Sequence, residues 1–451
     1  MSDVGQPIVP ASEIDLGSFT LPLWIVPFDA AGECTGPRTR TAIVDELAGA
    51  GYTDVFLFAH GWNNTYSEAK SKYSDFITGY HDLVEKLGLT HPAPYRPLTI
   101  GVQWPSISLL LPSERAPKMA ATGGSDPLTE AMIGLAQESL GADEARRLRV
   151  LSESHELTEP QAAEFASLLA GSYPDDDELQ PAKPETDAAE VLHIWSEVRD
   201  GASDGAGEES EGPGQFGRVA VDTPAADPEL AGLSLGRFDP REILRAFTVY
   251  KMKDRAGVVG ARGVGPLVRD VLSADDDVRL HLIGHSYGCR VLLAALCAQP
   301  LPRRAESLLL LEPAVNYLCF AEQVPLSGQP GGFRTALSRV KQPVFSTFSE
   351  RDRALHDYFH LALRRDADLG EAKMAALGTV PSLYCALGGW GPGGLGADEA
   401  LEVALKRAPE RYDTGGAQQS IFALNGKIGI TGHSDVINEW TFWALYNQVA
   451  D

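Results

Sequence analysis

Val278 to Gln299 reads VRLHLIGHSYGCRVLLAALCAQ, and its reading decides the fold. Val278 to Ile283 is a short apolar run with one embedded histidine, the composition of a buried strand. Gly284-His285-Ser286-Tyr287-Gly288 is a tight turn, and Cys289 to Gln299 is apolar on nearly every side, as suits a helix buried in a large protein. Strand, G-x-S-x-G and helix, in that order, is the setting in which the motif lifts a serine onto a strained turn. Gly284 and Gly288 leave space where side chains would strike the crossing strand and helix. Ser286 then stands at a helix N-terminus, where unpaired N–H groups and the helix dipole favour a developing negative charge.

Outward from this turn the chain alternates strands and helices. Leu21–Phe28 reads as a strand and Thr39–Ala50 as a helix ending at Gly51. Asp54–Ala59, DVFLFA, is a continuous apolar run of the kind found in a parallel strand covered on both faces. It runs straight into His60-Gly61-Trp62-Asn63-Asn64-Thr65, and an amphipathic helix follows, with Tyr66, Ala69, Tyr73, Phe76, Ile77, Tyr80, Leu83 and Val84 on one face. Leu98–Trp104 is a further strand, closed by Pro105-Ser106. The alternation predicts an α/β protein built on a doubly wound, mostly parallel sheet.

Between residues 112 and 239 the pattern breaks into acidic, Ala-, Gly- and Pro-rich sequence. Helices are expected at 127–140, 144–152, 159–169 and 186–198, and 201–217, GASDGAGEESEGPGQFG, has the composition of a flexible segment. The expected organisation is therefore a core of residues 20–111 and 240–451 interrupted by an inserted acidic helical cap, 112–239. Helices at 240–250 and 264–272 lead into the serine strand. After it come strands at 307–311, 343–348 and 420–424, a Gly-rich loop over 388–400 and a C-terminal helix at 438–449.

Composition narrows the partners. With 451 residues, 44% of them hydrophobic, the chain can bury a large core. A net charge of −24 argues against nucleic acid and anionic membrane surfaces as partners. No run of about twenty apolar residues predicts a membrane span. The first residues carry no basic stretch followed by an apolar one, so no signal peptide is expected. The five cysteines, Cys34, Cys289, Cys297, Cys319 and Cys385, are odd in number and lack metal spacing, which points to a reducing, cytoplasmic setting. No cofactor is expected. His356 and His360 lie one helical turn apart but have no evident third ligand, so no metal is expected there either.

A serine hydroxyl is a weak nucleophile until a base within hydrogen-bond reach takes its proton, and that base needs an orienting acid. In chain order this sequence offers Ser286, Asp352 just past a strand, and His433 in a Gly-flanked loop, which is one of the known orders for such a triad. Loops at the carboxyl ends of parallel strands share one edge, so the three can converge. Other candidates stand beside them. His285 adjoins the serine with its side chain expected elsewhere, and His281 alternates within the strand as a core histidine. Glu350 shares the Asp352 loop, Glu312 ends the preceding strand, and Asp435 is too near His433 in sequence to orient it easily.

With these motifs in hand, His60 to Asn64 (HGWNN), Trp104 to Ser106 (WPS), Gly284 to Gly288 and Ser349 to Leu355 (SERDRAL), the chain resembles the α/β-hydrolases, and among them bacterial serine esterase- and lipase-like proteins. The resemblance covers roughly residues 20–110 and 240–450; the insertion departs from it. It implies Ser286 as nucleophile, His433 as base and Asp352 as acid. An oxyanion hole would be formed by the backbone N–H groups of Tyr287 and Trp62, with His60, Gly61 and Asn63 supporting the Trp62 loop. The implied substrate is a small-molecule acyl ester, for which the apolar run 106–111, SISLLL, would furnish an acyl pocket. The same residues could serve acyl transfer or thioester or amide cleavage, and a non-catalytic binding scaffold is the alternative of another class. Nothing in the sequence sets an oligomeric state.

Overall fold

The computed structural model describes residues 8–106, 127–170, 239–359 and 383–450, except positions 18, 139, 155, 326, 397 and 415–418, and also Ala188 and Val191. The expected segment 201–217, all of the run 106–111 except Ser106, and most of 186–198 lie outside the described residues. The described strands are β1 (Ser12–Asp15), β2 (Thr20–Pro27), β3 (Asp54–Ala59), β4 (Pro97–Gln103), β5 (Arg279–His285), β6 (Ser307–Leu311), β7 (Val344–Phe348), β8 (Ala400–Ala404) and β9 (Ile421–Asn425). They form one sheet in the order β1-β2-β4-β3-β5-β6-β7-β9-β8. Only β1, against β2, is antiparallel; every other pair is parallel.

Strand periodicity divides the apolar runs between two faces. Val55, Leu57 and Ala59 of β3 point to one side, with Leu280, Leu282, Leu308 and Leu310. They meet helices α1 (Pro37–Ala50), α7 (Gly265–Ala274) and α8 (Tyr287–Cys297). Phe56 and Phe58 point to the other side, with Ile283, Leu309, Phe345 and Phe422. They pack against α2 (Tyr66–Lys86) and α9 (Glu439–Ala450), where Phe76 and Phe442 meet edge to face. A sheet covered on both sides explains why β3 is buried at all six positions and reads without alternation.

The chain passes outward from β3 to β4 in one direction and from β5 to β6 in the other, so β3 and β5, which are neighbours, flank the switch in winding. In open parallel sheets the crevice beyond the carboxyl ends of such a pair is where ligands bind. The loops that leave β3 and β5 are HGWNNT and GHSYG. The first enters α2 through a capping box: Glu68 N–H donates to Thr65 Oγ1 at 3.2 Å, and Thr65 N–H donates to Glu68 Oε2 at 2.6 Å.

Inserted helices α3 (Pro127–Gln137), α4 (Ala142–Ser152) and α5 (Glu159–Ala170) share a small core of Met132, Ile133, Leu148, Leu151, Phe165 and Leu169. Helix α6 (Pro240–Val258) joins that core through Ile243, Leu244 and Phe247 and the main core through Met252 and Ala256. Arg255 of α6 ties the two together, donating to the Pro105 carbonyl at 3.0 Å and to the Glu138 carboxylate at 2.8 and 2.9 Å.

Three features differ from expectation. Helices at 240–250 and 264–272 are one almost unbroken helical run, because a single π segment, Val259–Val264, carries α6 into α7. Gly260 there is a site of close packing: a Cβ would collide with the Val291 carbonyl of α8. Helix α8 begins at Tyr287, two residues earlier than its apolar run suggests, with Ser286 as its N-cap. Strands β1 and β8 were not expected; both are short edge strands with mostly exposed or half-exposed side chains. Among the described residues no helix is long and apolar enough to cross a membrane.

The amino ends of β3 and β5 hold a buried polar cluster. Arg279 donates to Asp54 Oδ1 at 2.8 Å and Oδ2 at 2.7 Å, and His281 bonds Asp54 Oδ1 at 3.2 Å and Ser307 Oγ at 2.8 Å. Burial alone would raise the Asp54 carboxyl, but hydrogen bonds from His281, Arg279 and Thr53 outweigh it and lower the pKa to about 2. A depressed carboxyl contributes stability above its unfolded pKa and loses it as pH falls through the folded value. Asp54→Asn is therefore expected to unfold at lower urea than the parent near neutral pH, with the gap narrowing by about 2–3 kcal/mol between about pH 5 and pH 2. A gap that stays constant over that range would show that Asp54 is not held ionised.

Candidate active site

Ser286 occupies the sharpest bend in the β5–α8 connection. Its backbone has φ 55° and ψ −126°, a conformation rare for residues with a side chain. Two neighbours make the bend possible. A Cβ on Gly288 would run into the Ala59 carbonyl at the end of β3. Gly61 packs directly on the serine: a Cβ there would stand 2.7 Å from Ser286 Cβ and 3.2 Å from its Oγ. On the other side, Ser286 N–H donates to the Leu311 carbonyl of β6 at 3.0 Å. The turn is thus held between the ends of β3 and β6.

Two further loops arrive at the same edge. After β7, the Ser349 hydroxyl donates to the Ile430 carbonyl at 3.0 Å, and Asp352 N–H donates back to the Ser349 carbonyl at 3.1 Å. Asp352 is fully buried and its Oδ1 accepts the Leu355 N–H at 3.1 Å. After β9, Thr431 N–H and Oγ1 donate to Asp435 Oδ2 at 3.0 and 2.7 Å, which rounds off the loop that presents His433. His433 Nδ1 lies 2.6 Å from Asp352 Oδ2, and its Nε2 lies 2.9 Å from Ser286 Oγ. The structure brings together Ser286, His433 and Asp352, three residues far apart in sequence. With Nδ1 protonated toward the carboxylate, Nε2 offers a lone pair to the serine hydroxyl, the arrangement that lets an imidazole act as a general base. The His433 side chain keeps 21% exposure, so the site opens to solvent on that side.

His285 does point away from Ser286, but toward His433. Desolvation, then the neighbouring His433, hold its imidazole well below the ordinary histidine range. The neutral ring donates from Nε2 to the His433 carbonyl at 2.8 Å, and the two rings lie 5.0 Å apart. Sequence reasoning missed this support, for which adjacency to the serine was the sole available signal.

The HGWNN loop is braced from within. His60 is buried; burial lowers its pKa to about 4, so it is neutral, donating from Nδ1 to the Gly61 carbonyl at 2.8 Å. Its ring stacks on Trp104, whose Nε1–H donates to the His60 carbonyl at 2.9 Å. Asn63 was expected to support the loop; its role is confined to the backbone. Its φ is 59°, and its N–H donates to the Ser106 carbonyl at 2.9 Å. The side-chain role belongs to Asn64, which donates to the Gly61 carbonyl at 3.0 Å and the Trp62 carbonyl at 2.9 Å and accepts from Lys72 Nζ at 2.6 Å. The left-handed turn at Asn63 is what rotates Asn64 inward. Ser106 closes the far side, its hydroxyl donating to the Asn64 carbonyl at 3.2 Å. Trp62 thereby follows Gly61 past the serine, and its ring lies 6.4 Å from that of Tyr287.

The remaining candidates stand elsewhere. Glu350 pairs with Lys427 at the surface. Asp435 serves its own loop. His281 is a buried core histidine with both ring nitrogens bonded, as expected. His356 stacks on Trp390 at 4.1 Å, and His360 lies outside the described residues. Among the described residues no group of three or more His, Cys, Asp or Glu is arranged to hold a metal.

Comparison with protein families, with curated proteins and with solved structures finds no match for this chain. Removing the Asn64 amide takes one hydrogen bond each from the Gly61 carbonyl, the Trp62 carbonyl and Lys72, so Asn64→Ala is expected to cost about 1–3 kcal/mol in chemical denaturation. An unchanged denaturation midpoint would show that the loop does not rely on this side chain.

Proposed function

We propose that this chain is a serine hydrolase of the α/β-hydrolase type, an esterase or lipase acting on carboxylic esters of small molecules. One observation carries the reading: the continuous path of 2.6 Å and 2.9 Å contacts from Asp352 through His433 to Ser286 Oγ, on a serine held at φ 55°. A purely structural serine needs no such backbone cost.

In the proposed reaction Ser286 Oγ attacks the acyl carbonyl as His433 Nε2 takes its proton. Asp352 remains ionised and holds the ring so that Nε2 faces the serine. Negative charge on the carbonyl oxygen is met by the backbone N–H groups of Tyr287, at the first turn of α8, and of Trp62, carried past the serine by the braced loop. His433 returns its proton to the departing alcohol, and water then cleaves the acyl-enzyme by the same steps. The three inserted helices act as a cap. In support, the insertion begins at residue 112, a short way along the chain from Ser106, which closes the HGWNN loop, and Arg255 pins Glu138 of the insertion to Pro105. No disulfide joins any of the five cysteines, in keeping with the cytoplasmic setting proposed for the chain.

A fluorophosphonate probe and a series of p-nitrophenyl esters test the reading. The parent protein is expected to label once and to turn over esters. Ser286→Ala and His433→Ala should lower kcat by about a millionfold and Asp352→Asn by about ten-thousandfold, each with the fold retained by circular dichroism. Labelling that persists in Ser286→Ala would move the chemistry to another residue. A parent that neither labels nor turns over any ester would favour a binding scaffold.

A further inference from the structure

Behind His433 stand two carboxyl groups, and the proposed reaction uses one. Glu312 follows β6 directly, with φ 44° and no exposure to solvent. Thr347, on the strand leading to Asp352, holds it twice: the Thr347 hydroxyl accepts the Glu312 N–H at 2.9 Å and donates to Glu312 Oε1 at 2.9 Å. The backbone closes over it, with Gly388 N–H donating to the Pro313 carbonyl and Ser349 N–H to the Gly388 carbonyl, both at 2.9 Å. Glu312 Oε2 is buried with no donor among the described residues. The charge that acts most strongly on its carboxyl is that of Asp352, in the loop that β7 leads into.

Two ionised carboxylates in contact, away from water, repel strongly, and such a pair keeps a proton. The donors around the two groups decide which keeps it. Asp352 receives N–H groups at both oxygens, from His433 at Oδ2 and Leu355 at Oδ1. Glu312 receives one hydroxyl, at Oε1. Asp352 is the better-solvated anion, and Oε2 of Glu312 is the atom left to carry hydrogen.

We propose that Glu312 is a positioning residue, a neutral carboxylic acid whose Oε2–H donates to Asp352 and fixes the plane in which Asp352 meets His433. This deepens the hydrolase reading and rests on it for its effect on rate. Burial, and then the Asp352 charge, push the Glu312 carboxyl well above the usual carboxylate range. Asp435 adds to that repulsion, and His433 stands one hydrogen bond beyond.

Infrared spectroscopy on the whole chain tests the protonation directly. At pH 7 the parent protein is expected to show the carbonyl stretch of a protonated carboxylic acid above the amide band. That band should move on carboxyl-13C labelling of glutamate and vanish in Glu312→Gln. The labelled parent answers the question even if the variant does not fold, and a parent without a protonated glutamate band overturns the proposal. The second readout is the pH dependence of Ser286 labelling by the fluorophosphonate. Glu312→Gln replaces one neutral donor by another, so the acid limb should stay in place and kcat should hold within about threefold. Glu312→Leu removes the donor, so kcat should fall about ten- to a hundredfold with KM little changed. An acid limb that drops by about one pH unit or more in Glu312→Gln would mean that a negative charge had been removed, and Glu312 would not be the neutral donor. Should the parent fail to label at all, the hydrolase reading fails, and the infrared band still decides where the proton lies.

Discussion

The site depends on how closely three stretches of backbone approach one another at Ser286. The end of β3, the start of α8 and the loop after β3 meet with no space for side chains at Gly288 and Gly61. That closeness holds the serine at a positive φ, with its hydroxyl at the carboxyl end of β5 facing His433. A residue outside its preferred backbone region costs about 1–3 kcal/mol, and it persists only where surrounding structure over-determines it. Here the surroundings are a strand buried at every position and a helix buried along nearly its whole length.

A second Ser–His–Asp arrangement in the same molecule shows what geometry alone leaves undecided. At the opposite edge of the sheet His281 bonds both Ser307, from Nδ1 at 2.8 Å, and Asp54, from Nε2 at 3.2 Å. Yet His281 is without exposure, Ser307 is a regular member of β6, and Arg279 also binds the carboxylate. These features describe a buried polar group being satisfied. Around Ser286 the backbone is bent, the histidine keeps a solvent-facing edge, and a loop with its own polar bracing lies over the hydroxyl. Carboxylate, imidazole and hydroxyl are common to both clusters, and the difference between them is access.

Much of this was legible in the sequence wherever burial leaves a pattern. The run DVFLFA reads as a doubly covered strand because both faces of β3 are covered, and the serine turn is legible because its glycines answer to backbone contacts. Edge strands were not legible: β1 and β8 bury little, so their residues carry no apolar run. The stretch VGARGVG looks like a break between helices because glycine usually is one, but at Gly260 it answers to the approach of α8 and the helix runs through it. The exchange of Asn63 for Asn64 has a conformational cause. Which of two adjacent asparagines turns inward is set by a single φ, and identical side chains give no sign of it. The supporting bond from His285 to the base depends on where the β9 loop comes to rest, a tertiary fact that local pattern does not encode.

The account stands or falls on whether Ser286, with the two amides beside it, is where an acyl-like group is attacked and its oxygen held. A crystal structure of the chain after reaction with an alkyl phosphonate inhibitor measures this directly. The expected result is a covalent bond from phosphorus to Ser286 Oγ, with the phosphonyl oxygen about 2.7–3.1 Å from the backbone nitrogens of Tyr287 and Trp62. An adduct on any other residue, or a phosphonyl oxygen turned away from both nitrogens, would contradict the account.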